Sequence, residues 1–102
     1  MSKKILQINF NFEGAWSQME EGNLEVAKWI AEVPGLIWKI WRMNDAEGEG
    51  GGTYLFDDEL SMQSYLEQVM PRLKSIAILS DIVVKQYDID EDLTAITHGP
   101  VK

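Results

Sequence analysis

The residues of this sequence with chemistry to offer are aromatic and amide side chains. Trp38 and Trp41 stand three apart in PGLIWKIW (34–41), with Lys39 between them and Arg42 directly after. Tyr54 follows a glycine run, and Asn9 and Asn11 alternate with phenylalanines near the start of the chain. An indole supplies a stacking face and one N–H, a phenol supplies a hydroxyl, and an amide supplies both a donor and an acceptor. Lys39 or Arg42 could add positive charge beside an enolate.

Other chemistries are poorly served. Cysteine is absent, which excludes disulfides, thiol nucleophiles and thiolate metal sites. His98 is the only histidine and falls in a polar tail, expected to be disordered or exchanged with a second subunit. No serine is spaced to make it a triad member. Asp57, Asp58 and Glu59 are consecutive and fit a helix N-terminus better than one ion, so no metal site is expected. EGEGGG lacks the Lys-Ser/Thr of a phosphate loop, and its glutamates would repel phosphate. A net charge of -8 disfavours nucleic acid and anionic membranes as partners. MSKKILQINFNF begins basic, but its apolar residues alternate with amides and no small-residue cleavage site follows. No apolar run reaches membrane-spanning length, so the expected compartment is the cytoplasm.

These side chains need a scaffold, and 102 residues make one domain, 1–102, with 90–102 as a polar C-terminal tail. Residues 4–12 alternate: Leu6, Ile8, Phe10 and Phe12 share one face, and Ile5, Gln7, Asn9 and Asn11 the other. Residues 15–33 carry a helical stripe of Trp16, Met19, Val26, Ala27, Ile30 and Val33, with Trp29 at its flank. Ser17 and Glu20 fit a capping box, and Pro34-Gly35 stops the helix. Residues 36–43 are rich in Ile and Trp and predict a strand; 44–52 predict a flexible acidic loop, and 53–57 the next strand. A second helix over 58–76 has the stripe Met62, Tyr65, Leu66, Val69, Leu73 and Ile76, and Pro71 should kink or split it. Residues 81–89 predict a fourth strand, and 92–96 one short helical turn.

The order β-α-β-β-α-β, with short connections and right-handed crossovers, is α+β and ferredoxin-like: a four-stranded antiparallel sheet with both helices on one face. The bare second face, carrying Ile5, Gln7 and Asn9, suggests pairing with another copy. Plain alternation along 36–43 points Leu36, Trp38 and Ile40 toward the helices, and Ile37, Lys39 and Trp41 toward that copy.

LQINFNF (6–12), PGLIWKIW (34–41), GGTYLFDDE (51–59), SYLEQVMPRLK (64–74) and VVKQYDIDEDL (83–93) resemble, in order and spacing, the YdhR-like family of mono-oxygenases. That family sits in the dimeric α+β-barrel superfamily with the antibiotic-biosynthesis mono-oxygenases. The resemblance implies a homodimer and oxygenation with no metal, flavin or haem. Two departures stand out: Asn9 occupies a position where a histidine is expected, and Pro71 interrupts the second helix.

The resemblance makes the expected activity a cofactor-independent mono-oxygenation of a small aromatic, polyketide-like or quinol-like substrate. The substrate's own carbanion would reduce O₂, and the protein would provide an apolar pocket, an oxyanion donor and a proton acceptor. The catalytic candidates are Trp38, Tyr54 and Asn9. The substrate-binding candidates are Trp29, Trp38, Tyr54 and Phe56, and those for the dimer interface are Gln7, Asn9, Lys39 and Trp41. Each has a structural counterpart: Trp38 as core, Trp41 as interface filler, Tyr54 as a phenol satisfied by backbone, Gln7 and Asn9 as interface amides, Lys39 and Arg42 as solvated or paired charges. Trp29 reads equally as a pocket lip or an exposed ring. The alternative function is a non-catalytic small-ligand-binding or stress-response homodimer. A third reading makes every aromatic structural and leaves no cavity.

Overall fold

A computed structural model describes residues 2–101. Strand β1 is Lys4–Phe12. A 3₁₀ turn, Trp16–Met19, leads into helix α1, Glu20–Ala31. Strands β2, Leu36–Asn44, and β3, Glu49–Phe56, form a hairpin. Helix α2, Glu59–Lys74, strand β4, Leu79–Asp88, and helix α3, Glu91–Ile96, follow. The sheet order is β2-β3-β1-β4, every pair antiparallel, which is the expected ferredoxin-like arrangement. Among the described residues no helix is long and apolar enough to cross a membrane.

The core lies between the sheet and the helices. Leu6 and Ile8 of β1, Tyr54 and Phe56 of β3, Ile30 of α1, and Met62, Tyr65 and Val69 of α2 are buried together. Each such aliphatic or aromatic side chain contributes about 1.5–3 kcal/mol by leaving water. The alternation of β1 and the stripe of α2 thus meet as their periods require.

The starts of α1 and α2 differ in how the chain meets its orphan N–H groups. The Asp58 carboxylate accepts from the Ser61 N–H at 2.7 Å, an N-cap worth about 1 kcal/mol. The Ser17–Glu20 box does not form. Residues 16–19 wind as a 3₁₀ turn, and the Gln18 amide oxygen accepts from the Ala15 N–H at 3.1 Å. Pro71 does not split α2, which runs unbroken to Lys74. It sits exposed, fourth from the helix end, one turn after the exposed Glu67, whose carbonyl is the one that loses its N–H donor.

The predicted loop over 44–52 shrinks to residues 45–48, where Asn44 accepts from the Glu47 N–H at 3.3 Å. The glycines belong to β3 because the sheet needs their missing side chains. A Cβ at Gly51 would lie 1.9 Å from the Ile8 carbonyl oxygen, and one at Gly52 would lie 2.6 Å from the Lys39 Cε.

One irregularity decides where the functional side chains point. Leu36 pairs with Phe56, but Trp38 pairs with Leu55, so β2 bulges at Ile37. A one-residue bulge exchanges the faces of all that follows. Lys39, opposite Tyr54, and Trp41, opposite Gly52, therefore face the helices. Trp38, Ile40 and Arg42 face the open side. The orientation expected from plain alternation is reversed for Trp38, Lys39 and Trp41.

Gln7 and Asn9 do lie on the open face, paired with Thr53 and Gly51. The Trp38 indole N–H donates to the Pro100 carbonyl at 2.8 Å, tying the segment after α3 over one end of this face, where Leu55 is fully buried. His98, expected in a disordered or exchanged tail, instead takes the left-handed conformation that ends α3 (φ 70°), and its N–H donates to the Ala95 carbonyl.

Candidate active site

A cavity of about 100 Å³ lies between the sheet and helices α1 and α2. Its walls are almost wholly apolar, with Phe10, Trp16, Trp29, Trp41, Tyr54 and Tyr65 as the aromatic part. Lys39, Arg72 and Asn23 are its other polar members. At Trp16, Asn23 and Trp41 it adjoins an outer groove of about 670 Å³, whose rim carries Glu20 and Glu21.

Lys39 is brought here by the β2 bulge and admitted by Gly52. Its Nζ lies 3.3 Å from the centroid of the Trp41 ring and 4.8 Å from that of Tyr54. Burial lowers its pKa from 10.5 to about 7. An amine that exchanges its proton near neutrality, against an apolar cavity, is suited to proton transfer.

Tyr54 and Tyr65 form the second polar element. The Tyr65 hydroxyl donates to the Tyr54 oxygen at 2.9 Å, and both are buried. This leaves one hydroxyl proton of the pair unspent. Burial pushes Tyr54 up to about 12, opposed by the Tyr65 hydrogen bond and the Arg42 charge. Burial likewise raises Tyr65, reinforced by Tyr54. Both phenols stay protonated at neutral pH and can donate to an oxyanion without becoming one.

Trp29 resolves as a lip of the cavity. It stacks on Tyr65 with ring centroids 5.9 Å apart, and the Arg72 guanidinium covers it at 4.2 Å. Phe56 does not line the cavity. It lies behind it, fully buried, 6.1 Å from Tyr54 and 5.6 Å from Tyr65 between ring centroids.

Of the expected catalytic set, only Tyr54 is at the cavity. Trp38 and Asn9 are on the open sheet face. There the Asn9 amide oxygen accepts from the Arg42 Nη2 at 2.7 Å, and the Arg42 Nε donates to Thr53 Oγ1 at 2.9 Å. Lys39 and Trp41, expected at the dimer interface, line the cavity instead. Asn23 is not among the residues expected from the sequence, although it breaks the apolar stripe of α1 between Met19 and Val26. Tyr65 was legible as core, but its hydroxyl partner was not. Among the described residues no three metal-ligating side chains cluster.

A family model described as "Putative mono-oxygenase ydhR" matches residues 5–100. Among solved structures, a mutant of SnoaB, a cofactor-independent oxygenase from Streptomyces nogalater, superposes with a TM-score of 0.69 at 16% identity, covering 88% of this chain and 95% of that one. A monooxygenase from ActVA-Orf6 of Streptomyces coelicolor, in complex with nanaomycin D, gives 0.64 at 12% identity, covering 86% and 88%. A dimeric ferredoxin-like protein from an uncultured marine organism gives 0.62 at 19% identity, covering 88% and 97%. These likenesses establish the fold. No curated protein matches the chain.

Proposed function

The chain belongs to the YdhR mono-oxygenase family, and from that premise we propose that it is a cofactor-independent mono-oxygenase of a small aromatic substrate of the polyketide or quinol kind. The observation that carries this reading is the Lys39 amine, desolvated to a pKa of about 7 beside an apolar cavity and a protonated tyrosine pair. The cofactor-independent oxygenase SnoaB and the nanaomycin D complex of the ActVA-Orf6 monooxygenase support it by analogy of fold.

In this reading neutral Lys39 takes a proton from an activated ring CH₂ of the substrate. Negative charge moves to the substrate oxygen, where the unspent hydroxyl proton of Tyr54 or Tyr65 stabilises it. The carbanion passes one electron to O₂, and the two radicals combine to a peroxide at the same carbon. Loss of water from the peroxide leaves a new carbonyl, with Lys39 returning its proton. One substrate CH₂ and one O₂ give one C=O and one H₂O. The cavity keeps bulk water from the carbanion.

We place a second copy of the chain on the open sheet face, where Ile40 is 53% exposed, Val83 45% and Tyr87 44%. Gln7, Asn9 and Arg42 would then lie between subunits, away from the reacting atoms. The cytoplasm is the compartment in which we expect it.

The test is O₂ uptake with a panel of hydroxylated anthrones and quinols. Uptake that falls by about 10²–10⁴ in Lys39→Met, with the fold intact, is the expected result. Ligand-induced tryptophan quenching with no uptake would leave the alternative, a non-catalytic ligand-binding dimer.

A further inference from the structure

Asn23 is the one polar residue in the inward stripe of α1, between Met19 and Val26. Its amide nitrogen is buried and is the only buried side-chain nitrogen or oxygen among the described residues with no hydrogen-bond partner. An unsatisfied buried N–H group is destabilising, and such exceptions in native proteins call for an explanation. A leucine there would remove the cost and extend the stripe.

The position of the amide supplies the explanation. Asn23 belongs to both the inner cavity and the outer groove, with Trp16 and Trp41 beside it. It stands at the neck between them. The inner cavity, about 100 Å³, is far below the roughly 300–1,000 Å³ of pockets that enclose a whole ligand. A multi-ring ligand must therefore sit partly in each, with its middle at the neck. Glu20 and Glu21 on the rim, in a chain of net charge -8, oppose an anionic outer part.

We infer that Asn23 is the ligand-positioning residue: its amide N–H donates to a ketone or phenol oxygen of a neutral fused-ring ligand that enters the inner cavity with one ring and leaves the rest between Trp16 and Trp41. This rests on the cavity proposed above as the site. It requires binding but not turnover.

The test uses α-tetralone and tetralin, which have the same ring frame and differ by the ketone oxygen. Neither needs to be oxidised. Calorimetry on the full chain should show tetralone binding about tenfold tighter than tetralin, the worth of one hydrogen bond. Asn23→Leu should abolish that preference, keep tetralin binding, and raise the melting temperature. Asn23→Gln, which retains the amide, should keep part of the preference. A preference that survives in Asn23→Leu overturns the inference, as does failure of the wild type to bind either compound. O₂ uptake by the anthrone panel is scored separately. Its absence alongside an Asn23-dependent tetralone preference would sink the oxygenase reading and leave this one standing.

Discussion

The Lys39 ammonium nitrogen lies 3.3 Å from the centroid of the Trp41 ring, two residues along the same strand. The contact exists because the bulge at Ile37 turns both toward the helices, and because Gly52 has no side chain to block the lysine. Two effects oppose each other there. The ring face favours the charged lysine by about 0.5–2 kcal/mol. Burial favours the neutral amine, and a pKa lowered from 10.5 to about 7 corresponds to roughly 5 kcal/mol. Burial wins, so the indole moderates the amine without fixing its charge.

That balance predicts how stability varies with pH. Below about pH 7 Lys39 is charged in both folded and unfolded chains, and the folded state bears the full cost of burying it. Between about 7 and 10.5 the unfolded chain holds the extra proton, so this contribution to stability rises with pH. Lys39→Met lacks the effect. Thermal melts of the two proteins should show the variant's advantage largest near pH 6 and shrinking toward pH 10. An advantage that stays constant over that range would contradict a desolvated amine.

The tyrosine pair makes a separate prediction. Tyr65→Phe removes the donor to Tyr54 at 2.9 Å and should cost about 1 kcal/mol in denaturant unfolding. Tyr54→Phe should cost a similar amount. Either change should reduce the rate of O₂ uptake by about 10–100-fold, since each leaves one phenol where a hydrogen-bonded pair stood. Stability loss with unchanged uptake would make the pair purely structural.

The open sheet face predicts the assembly. Ile40→Glu and Val83→Glu each put a charge where the second copy would cover it. An unpaired buried charge costs about 3–5 kcal/mol, enough to weaken association more than a hundredfold. Light scattering should show a monomer with an unchanged circular dichroism spectrum. A wild-type protein that already scatters as a monomer would remove the dimer from the proposal.

What the sequence made legible follows from which physical signals are periodic. Alternation in β1 and the stripe of α2 each repeat over several residues, so the pattern alone marks Leu6, Ile8, Tyr65 and Val69 as core, where they lie. The glycines 50–52 looked like a loop because glycine signals turns in general. Their reason, room for Lys39 and for the Ile8 carbonyl, lies in other parts of the chain. The bulge at Ile37 has no local signal at all, since Ile suits a strand whether bulged or regular. That single residue misdirected Trp38, Lys39 and Trp41 together. Asn23 is the opposite case: the signal, one amide in an apolar stripe, was present in the sequence, but its meaning depends on a cavity that only the packing of α1 on the sheet creates.

The two tryptophans of PGLIWKIW give the most direct check of this geometry, because plain alternation and the bulge predict opposite results. With the bulge, Trp41 walls the cavity and Trp38 holds Pro100 on the far face. Trp41→Ala should therefore weaken tetralone binding by about tenfold or more, through loss of the aromatic wall and of the ring beneath Lys39. Its subunit association should not change. Trp38→Phe loses one indole hydrogen bond and should cost about 1 kcal/mol of stability, loosen the C-terminal segment to proteolysis, and leave tetralone affinity as it was. Calorimetric titration reads the first effect and timed proteolysis with mass spectrometry the second. If Trp38→Phe weakens the ligand and Trp41→Ala disperses the dimer, then β2 runs without its bulge and the site described here faces the wrong way.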